Sequence, residues 1–412
     1  MRWKYVSTSE EAAWQTSIWK GKFIYLWGAS IFSSLSISMY LTIEQWYVVH
    51  YLNLKNSLGI ILMATTIPRV LFMMIGGIAA DQYSRSKIIC FSLLTRCFIL
   101  LLMALFYTNH VLTLSALFIF ALLFGASDAF FWSARDSIVP GMIPKEQLVR
   151  ANSVIQTTNQ LSVMLGPVLG AALLSLFSYS TIFLIIAFAL LISILLLRFV
   201  QEKKELTPKK SSLLRDLAEG IHYVKGSSFL LTVMGTFIIV NLFFIGPLMV
   251  SIPIIAEDRF EGNPFNLSML QSSFAGGMLL GAIIMGWLNM KKQRGKLVIA
   301  LILIEGLLLT AFSQATNLWL AAVSLLMIGC CVSSINIPLV SVIQEKTPST
   351  IVGRVMSINT MVSMGLIPVS YGLVSALLNL QISVQFILLC AGSIIVWFSF
   401  ILFLKASDLK RA

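Results

Sequence analysis

Gly76-Gly77-Ile78-Ala79-Ala80-Asp81-Gln82-Tyr83-Ser84-Arg85-Ser86-Lys87 closes one long apolar run and opens another. Residues 58–80 before it carry a single charge, Arg69, and residues 88–107 after it carry a single charge, Arg96. A helix rises about 1.5 Å per residue, so about 20 apolar residues cross a hydrocarbon core of about 30 Å. Two such runs joined by a short charged turn read as antiparallel membrane spans. Asp81 is the odd residue, because a helix C-terminus already carries partial negative charge. A carboxylate placed there needs a positive partner from elsewhere.

The same alternation continues along the chain. Of 412 residues, 58% are hydrophobic and 11% charged, more apolar surface than a water-soluble domain can hide. Runs at 181–199, 267–288 and 383–404 match the first two in length. Segments near 22–51, 111–138, 151–177, 229–255, 297–313, 318–343 and 352–378 bring the predicted spans to twelve. The fold class is an all-α integral membrane protein.

The net charge of +12 has a positional explanation. Of the 29 Lys and Arg, 25 fall in loops and termini of one side, two in spans (Arg69, Arg96) and two opposite (Lys55, Arg259). By the positive-inside rule both termini are cytoplasmic, and no nucleic-acid partner is implied. Met1 to Lys20 lacks the apolar core and cleavage site of a secretory signal, so the first span is expected to be retained. The five cysteines lie in or beside spans without paired spacing, and the three histidines are dispersed. No metal motif, cofactor fingerprint, phosphate loop or nucleophile–base arrangement occurs, so no enzyme is expected.

The connections divide the chain. Outer loops such as Thr108-Asn109-His110 and Ser178-Tyr179-Ser180 hold no domain that binds a partner, and a monomer is expected. The long connection at residues 200–228 begins with charges and continues with Leu213, Leu217, Ile221 and Val224 at helical spacing, an amphipathic helix on the membrane surface. The expected organisation is a cytoplasmic segment 1–21, a six-helix half 22–199, the loop 200–228, a second half 229–404 and a tail 405–412. Pro144-Lys-Glu-Gln-Leu-Val-Arg150-Ala-Asn-Ser153 and Pro348-Ser-Thr-Ile-Val-Gly-Arg354-Val-Met-Ser357 share Pro, an aliphatic residue, Arg and Ser in register, 204 residues apart. That repeat points to duplication of one half into pseudo-symmetric halves.

Ionisable residues inside spans are functional candidates because burying them is costly. Glu44 falls on a stripe with Ser30, Ser33, Ile37, Tyr40, Tyr47 and Tyr51 at three- and four-residue steps. Such a stripe suits a cavity more than lipid. Three readings stand for Glu44: a proton carrier, a permanent ion pair with Arg69 at similar depth, or a pair that protonation or a cationic substrate opens. Asp128 shares its helix face with Phe124, Trp132 and Arg135, which makes it a transport residue or a structural partner of Arg135. Glu305 stands alone in an apolar ninth span, and Arg96 reads as structural. Asn241 with Phe244 on the seventh span, and Ser333 with Asn336 on the tenth, are candidates for an opposite wall.

Four stretches in order resemble the major facilitator superfamily, and within it the drug-exporter branch that includes macrolide-efflux proteins. Gly77, Asp81, Arg85 and Lys87 are similar to its loop signature after the second helix, with Gln82 and Ser84 as departures. The stretches from Ser133, from Asp216 and from Gln344 resemble the branch's helix-four connection, pre-helix-seven segment and entry to helix eleven. The resemblance covers nearly the whole chain. It implies the major facilitator fold and a substrate path lined by the first, fourth, seventh and tenth spans. It also implies that Asp81 meets the positive start of the eleventh span, with Arg135 or Arg354 in reach and Arg85 beside it. Asp81 would then be a conformational latch, where the residues alone also allow an interfacial anchor. Gly166-Pro167-x-x-Gly170 resembles the helix-five exporter signature, or is simply a packing kink.

The reading is a secondary active exporter of hydrophobic or amphipathic small molecules, such as a macrolide-like antibiotic, drug or siderophore, by proton antiport in a bacterial cell membrane. A proton-linked importer or lipid flippase on the same fold is the alternative, and a non-transporting receptor or scaffold the alternative of another class.

Overall fold

The computed structural model describes residues 22–200, 213–288, 293–348 and 351–410, and their regular structure is entirely helical. The first half consists of α1 (Phe23–Trp46, continued by a π-helical turn Tyr47–Tyr51), α2 (Leu58–Gln82), α3 (Arg85–Thr108), α4 (Leu114–Ile138), α5 (Leu148–Leu176) and α6 (Tyr179–Leu197). After α7 (Leu213–Lys225), the seventh span is α8 (Ser228–Val240), a π turn Asn241–Ile245 and α9 (Gly246–Arg259). There follow α10 (Pro264–Leu288), α11 (Arg294–Ser313), α12 (Leu318–Lys346), the eleventh span as α13 (Val352–Gly365) and α14 (Ile367–Asn379), and α15 (Val384–Lys405). Twelve of these helical runs are long and apolar enough to cross a membrane.

Their starts follow from local chemistry. Thr113, Ser178, Ser227, Asn317 and Ser383 cap α4, α6, α8, α12 and α15, each side-chain oxygen accepting a first-turn N–H that would otherwise lack a partner. Their packing depends on glycine. A Cβ on Gly125 would lie 1.9 Å from the Thr65 carbonyl oxygen, so α4 and α2 touch backbone to backbone. In the other half a Cβ on Gly329 would lie 2.1 Å from the Phe274 carbonyl, and one on Gly277 1.9 Å from that of Leu326. Gly125 and Gly329 are 204 residues apart, the spacing of the sequence repeat. Small residues permit this approach between membrane helices, where apolar burial supplies no drive.

Buried apolar side chains form two clusters, one dominated by residues of α1–α6 and one by residues of α8–α15. The halves are tied together near the α1–α2 loop. Ser375 on α14 hydrogen-bonds the Asn56 carbonyl, and a Cβ on Gly59 would lie 2.4 Å from the Tyr371 carbonyl. Lys55 meets Asp258, and His50 lies 2.9 Å from Glu257.

The amphipathic segment is helical, and one face of α7 packs on protein. Gly220 faces α13, where a Cβ would come within 2.7 Å of Ile358, and Val224 is buried. The Leu213 and Leu217 side chains lie outside the described residues.

Candidate functional site

A cavity of about 410 Å³ lies between the halves. α1, α2, α4 and α5 form one wall, and α9 and α10 the other. Most of its surface is apolar, with Ile37, Leu41, Trp132, Ile252, Phe274 and Met278 prominent. Polar groups gather at Gln45 and Gln271, and at Arg69 and Asp128. Gln271 receives a hydrogen bond from Thr42 (2.9 Å) and donates one to Gln45 (2.8 Å), which closes the floor with a bond between halves.

Asp128 organises the charged end. One carboxylate oxygen accepts from Arg96 Nη2 at 2.6 Å, and the other lies 3.1 Å from Arg69 Nε. Arg96 on α3 is fully buried, its guanidinium 5.2 Å from the Phe124 ring and 4.8 Å from that of Phe131. Arg69 on α2 keeps about a third of its side chain accessible and lies 5.5 Å from the Trp132 ring. A buried carboxylate held between two arginines satisfies the rule that buried charge is paired and hydrogen-bonded. Only Arg69, of the two, lines the cavity.

This arrangement leaves out two pairings that the sequence held open. Arg69 pairs with Asp128 and not with Glu44. Glu44 Oε1 instead accepts the Tyr40 hydroxyl at 2.7 Å, while its Oε2 has no partner among the described residues. Asp128 does not pair with Arg135. Arg135 turns to Asp136 (3.0 Å) and Asn159 (3.0 Å) and stacks 4.0 Å from the Trp132 ring. Arg96 is the partner that sequence did not assign.

The predicted stripe on α1 is displaced as well. Ile37 and Trp132 line the cavity, but Ser33, Tyr40 and Tyr47 point into the first half. Tyr40 stacks on Phe124 at 4.2 Å, Ser33 bonds the Ser30 carbonyl, and Tyr47 bonds the Leu112 carbonyl. The cavity face of α1 carries Ser34, Ser38, Thr42 and Gln45. Those four also recur at three- and four-residue steps, with Ser34, Ser38 and Gln45 one position after members of the predicted set. Polar residues occupy both faces, and spacing alone cannot choose between them.

In the second half, Asn241, Phe244 and Asn336 line a separate cavity of about 50 Å³, and Glu305 lines it with them. Ser333 lines neither cavity. Among the latch candidates, Arg85 is the first residue of α3 and Arg354 pairs with Glu219 on α7. The Asp81 side chain, and with it the latch, lies outside the described residues. In α5, a Cβ on Gly166 would meet Ser38 at 2.2 Å, Pro167 lines the central cavity, and Gly170 lies against Ile43 at 3.7 Å.

The profile of the Major Facilitator Superfamily matches residues 26–371 and 239–410. Over 395 residues the chain is 24% identical to macrolide efflux protein A of Streptococcus pyogenes, covering 92% of this chain and 94% of that protein. The fold superposes on the nucleoside transporter NupG with a TM-score of 0.74 at 14% identity, covering 94% of this chain and 99% of that one. A D-xylose–proton symporter superposes with a TM-score of 0.66 at 15% identity, covering 92% and 96%.

Proposed function

Because this chain belongs to the Major Facilitator Superfamily, a family of membrane transporters, we propose that it is a secondary exporter of amphipathic compounds coupled to inward proton flow. The observation that carries this reading is that both carboxylate oxygens of Asp128 are occupied, and that Arg69, which occupies one, lines the cavity. Antiport requires proton and substrate to exclude one another at a shared site. A compound with a cationic or strongly donating group displaces Arg69 and takes Asp128 Oδ2. A proton on that oxygen also releases Arg69, and then leaves no anion for the compound. An acceptor-bearing compound on Arg69 would instead expose Asp128 to protonation, which is the logic of symport. The largely apolar walls favour an amphipathic body with one donor group over a sugar, whose hydroxyls would lose water without replacement. The likeness to a macrolide efflux protein supports the same class.

Alternating access follows as rocking of the halves about the cavity, the ties near the α1–α2 loop breaking as those on the other side form. Asp81 is proposed as one of the latter, and Glu44 as a second protonation site behind Tyr40.

Proteoliposomes with an interior pH dye test this. Macrolides, lipophilic cations, siderophores and lysolipids are added one at a time to wild type, Asp128→Asn and Glu44→Gln. A compound-dependent proton current carried by cationic amphipaths and lost in Asp128→Asn is expected. A current that flows with the compound in the same direction, or one retained in Asp128→Asn, refutes competition at Asp128.

A further inference from the structure

We propose that Glu305, Asn241 and Asn336 bind a small inorganic monovalent cation, at a site separate from the central cavity. The two cavities share no residue. Glu305 is 1% exposed, and its Oε2 has no hydrogen-bond partner among the described residues. A proton is the competing way to neutralise this carboxyl, and the test below separates the two, because a proton alone gives no sodium-dependent rise in Tm. Among the described residues Glu305 is the only ionisable side chain lining the cavity, and no described protein cation balances it there.

The other polar side chains lining the cavity are Thr236, Asn241 and Asn336. Thr236 donates its hydroxyl to the Thr232 carbonyl (2.9 Å), Asn241 donates Nδ2 to the Phe237 carbonyl (2.7 Å), and Asn336 donates Nδ2 to the Val332 carbonyl (2.9 Å). Each turns its donor back onto its own helix. An amide with its nitrogen turned to the helix presents Oδ1 away from it. A carboxylate with such oxygens and no competing cation is the donor set of a hard cation.

Size and charge select the cation. About 50 Å³ holds an ion with a water or two, since one water needs roughly 10–15 Å³ on this measure, and an organic cation is excluded. One carboxylate neutralises one positive charge. A divalent ion would leave excess charge in a low-dielectric interior, where unpaired charge is costly. Asn336 is exposed and Glu305 is buried, so the lining of the cavity passes from the protein surface to its interior. The π turn that begins at Asn241 lies along its wall, and single π turns often occur at functional sites.

The test is thermal unfolding of the full-length protein in nanodiscs, with choline chloride exchanged for NaCl, LiCl or KCl at constant ionic strength. A ligand bound only by the native state raises Tm with saturation. Wild type is expected to show that rise with NaCl, and Glu305→Gln to abolish it. Asn336→Leu, at an exposed position, is expected to weaken the apparent affinity by about tenfold without changing Tm in choline. That second variant keeps the test decisive if Glu305→Gln does not fold. Equal Tm in all four salts for wild type overturns the proposal. So does a sodium response that persists undiminished in Asn336→Leu or in a folded Glu305→Gln.

Discussion

Asp128 in the first half and Glu305 in the second are both buried carboxyl groups, and they are compensated differently. Asp128 is held by two arginines, one of them sealed between phenylalanine rings. Glu305 has an apolar cavity, three neutral oxygen-bearing side chains and an oxygen without a partner. In the first site the countercharge is resident, so it changes only when something displaces Arg69. The second is incomplete as protein, so its occupancy depends on what the solution supplies. A resident countercharge at Asp128 and the exchangeable one proposed at Glu305 give the two carboxyls different sensitivities to the same kind of substitution.

The largest effect should come from breaking the resident pair. Asp128→Leu leaves Arg96 fully buried without its carboxylate, and removing one partner of a buried pair typically costs about 3–5 kcal/mol. Loss of monodisperse protein on fluorescence-detected size exclusion is expected. Arg96→Met combined with Asp128→Leu should restore folding, because an apolar replacement of the whole pair is tolerated. Compound-dependent proton current should remain absent in that double variant. A stable single variant would show that Arg96 is not held by Asp128.

A second comparison concerns the backbone contacts that match between halves. Gly125→Ala drives a Cβ into the Thr65 carbonyl, and Gly329→Ala drives one into that of Phe274. Backbone cannot yield as a side-chain tip does, so each should cost about 1–3 kcal/mol, read as a lowered Tm. Similar losses at both positions would mark them as equivalent seams of a duplicated unit. Loss at only one would mean that the halves tolerate separation differently.

These positions also show what sequence could carry. The spans were legible because each is a long apolar run bounded by charge, a property of consecutive residues. The helical character of α7 was legible for a similar reason. The phase of α1 was not, since Ser33, Tyr40 and Glu44 and the set Ser34, Ser38 and Gln45 are both polar at helical spacing. Arg69 was within reach of Glu44 by depth along the membrane, but depth says nothing of azimuth. The azimuth that brings Arg69 to Asp128 is fixed by glycine contacts such as that of Gly125 with Thr65, between residues 60 positions apart. Pairings across helices are set by such packing and leave no local trace.

The third expected effect has the opposite sign to the first. Glu305→Gln removes a charge that no protein cation balances, so Tm in choline should stay level or rise slightly, in contrast to the collapse expected for Asp128→Leu. A large loss in choline would reveal a fixed partner and make the two carboxyls alike.

The smallest effect should come from the ion pairs that tie the halves near the α1–α2 loop. Lys55 is 31% and Asp258 47% accessible, and His50 is 46% accessible beside Glu257. Exposed pairs contribute about 0–1 kcal/mol, screened further by salt. Lys55→Ala should therefore leave Tm nearly unchanged. It should still shift the balance between conformations, because in the proposed rocking cycle these contacts break as this side opens. A change of about 0.5 kcal/mol moves a two-state ratio by roughly twofold. Spin labels placed across the α1–α2 and α14–α15 loops would read that shift as a longer-distance population. Gly59→Ala, which presses a Cβ into the Tyr371 carbonyl at the same seam, should move the population further in the same direction, and 0.5 M salt should reproduce the Lys55→Ala shift but not that of Gly59→Ala. If salt moves neither distance distribution, closure rests on the backbone contact and the Ser375–Asn56 hydrogen bond, and the charges are ornament to the seam.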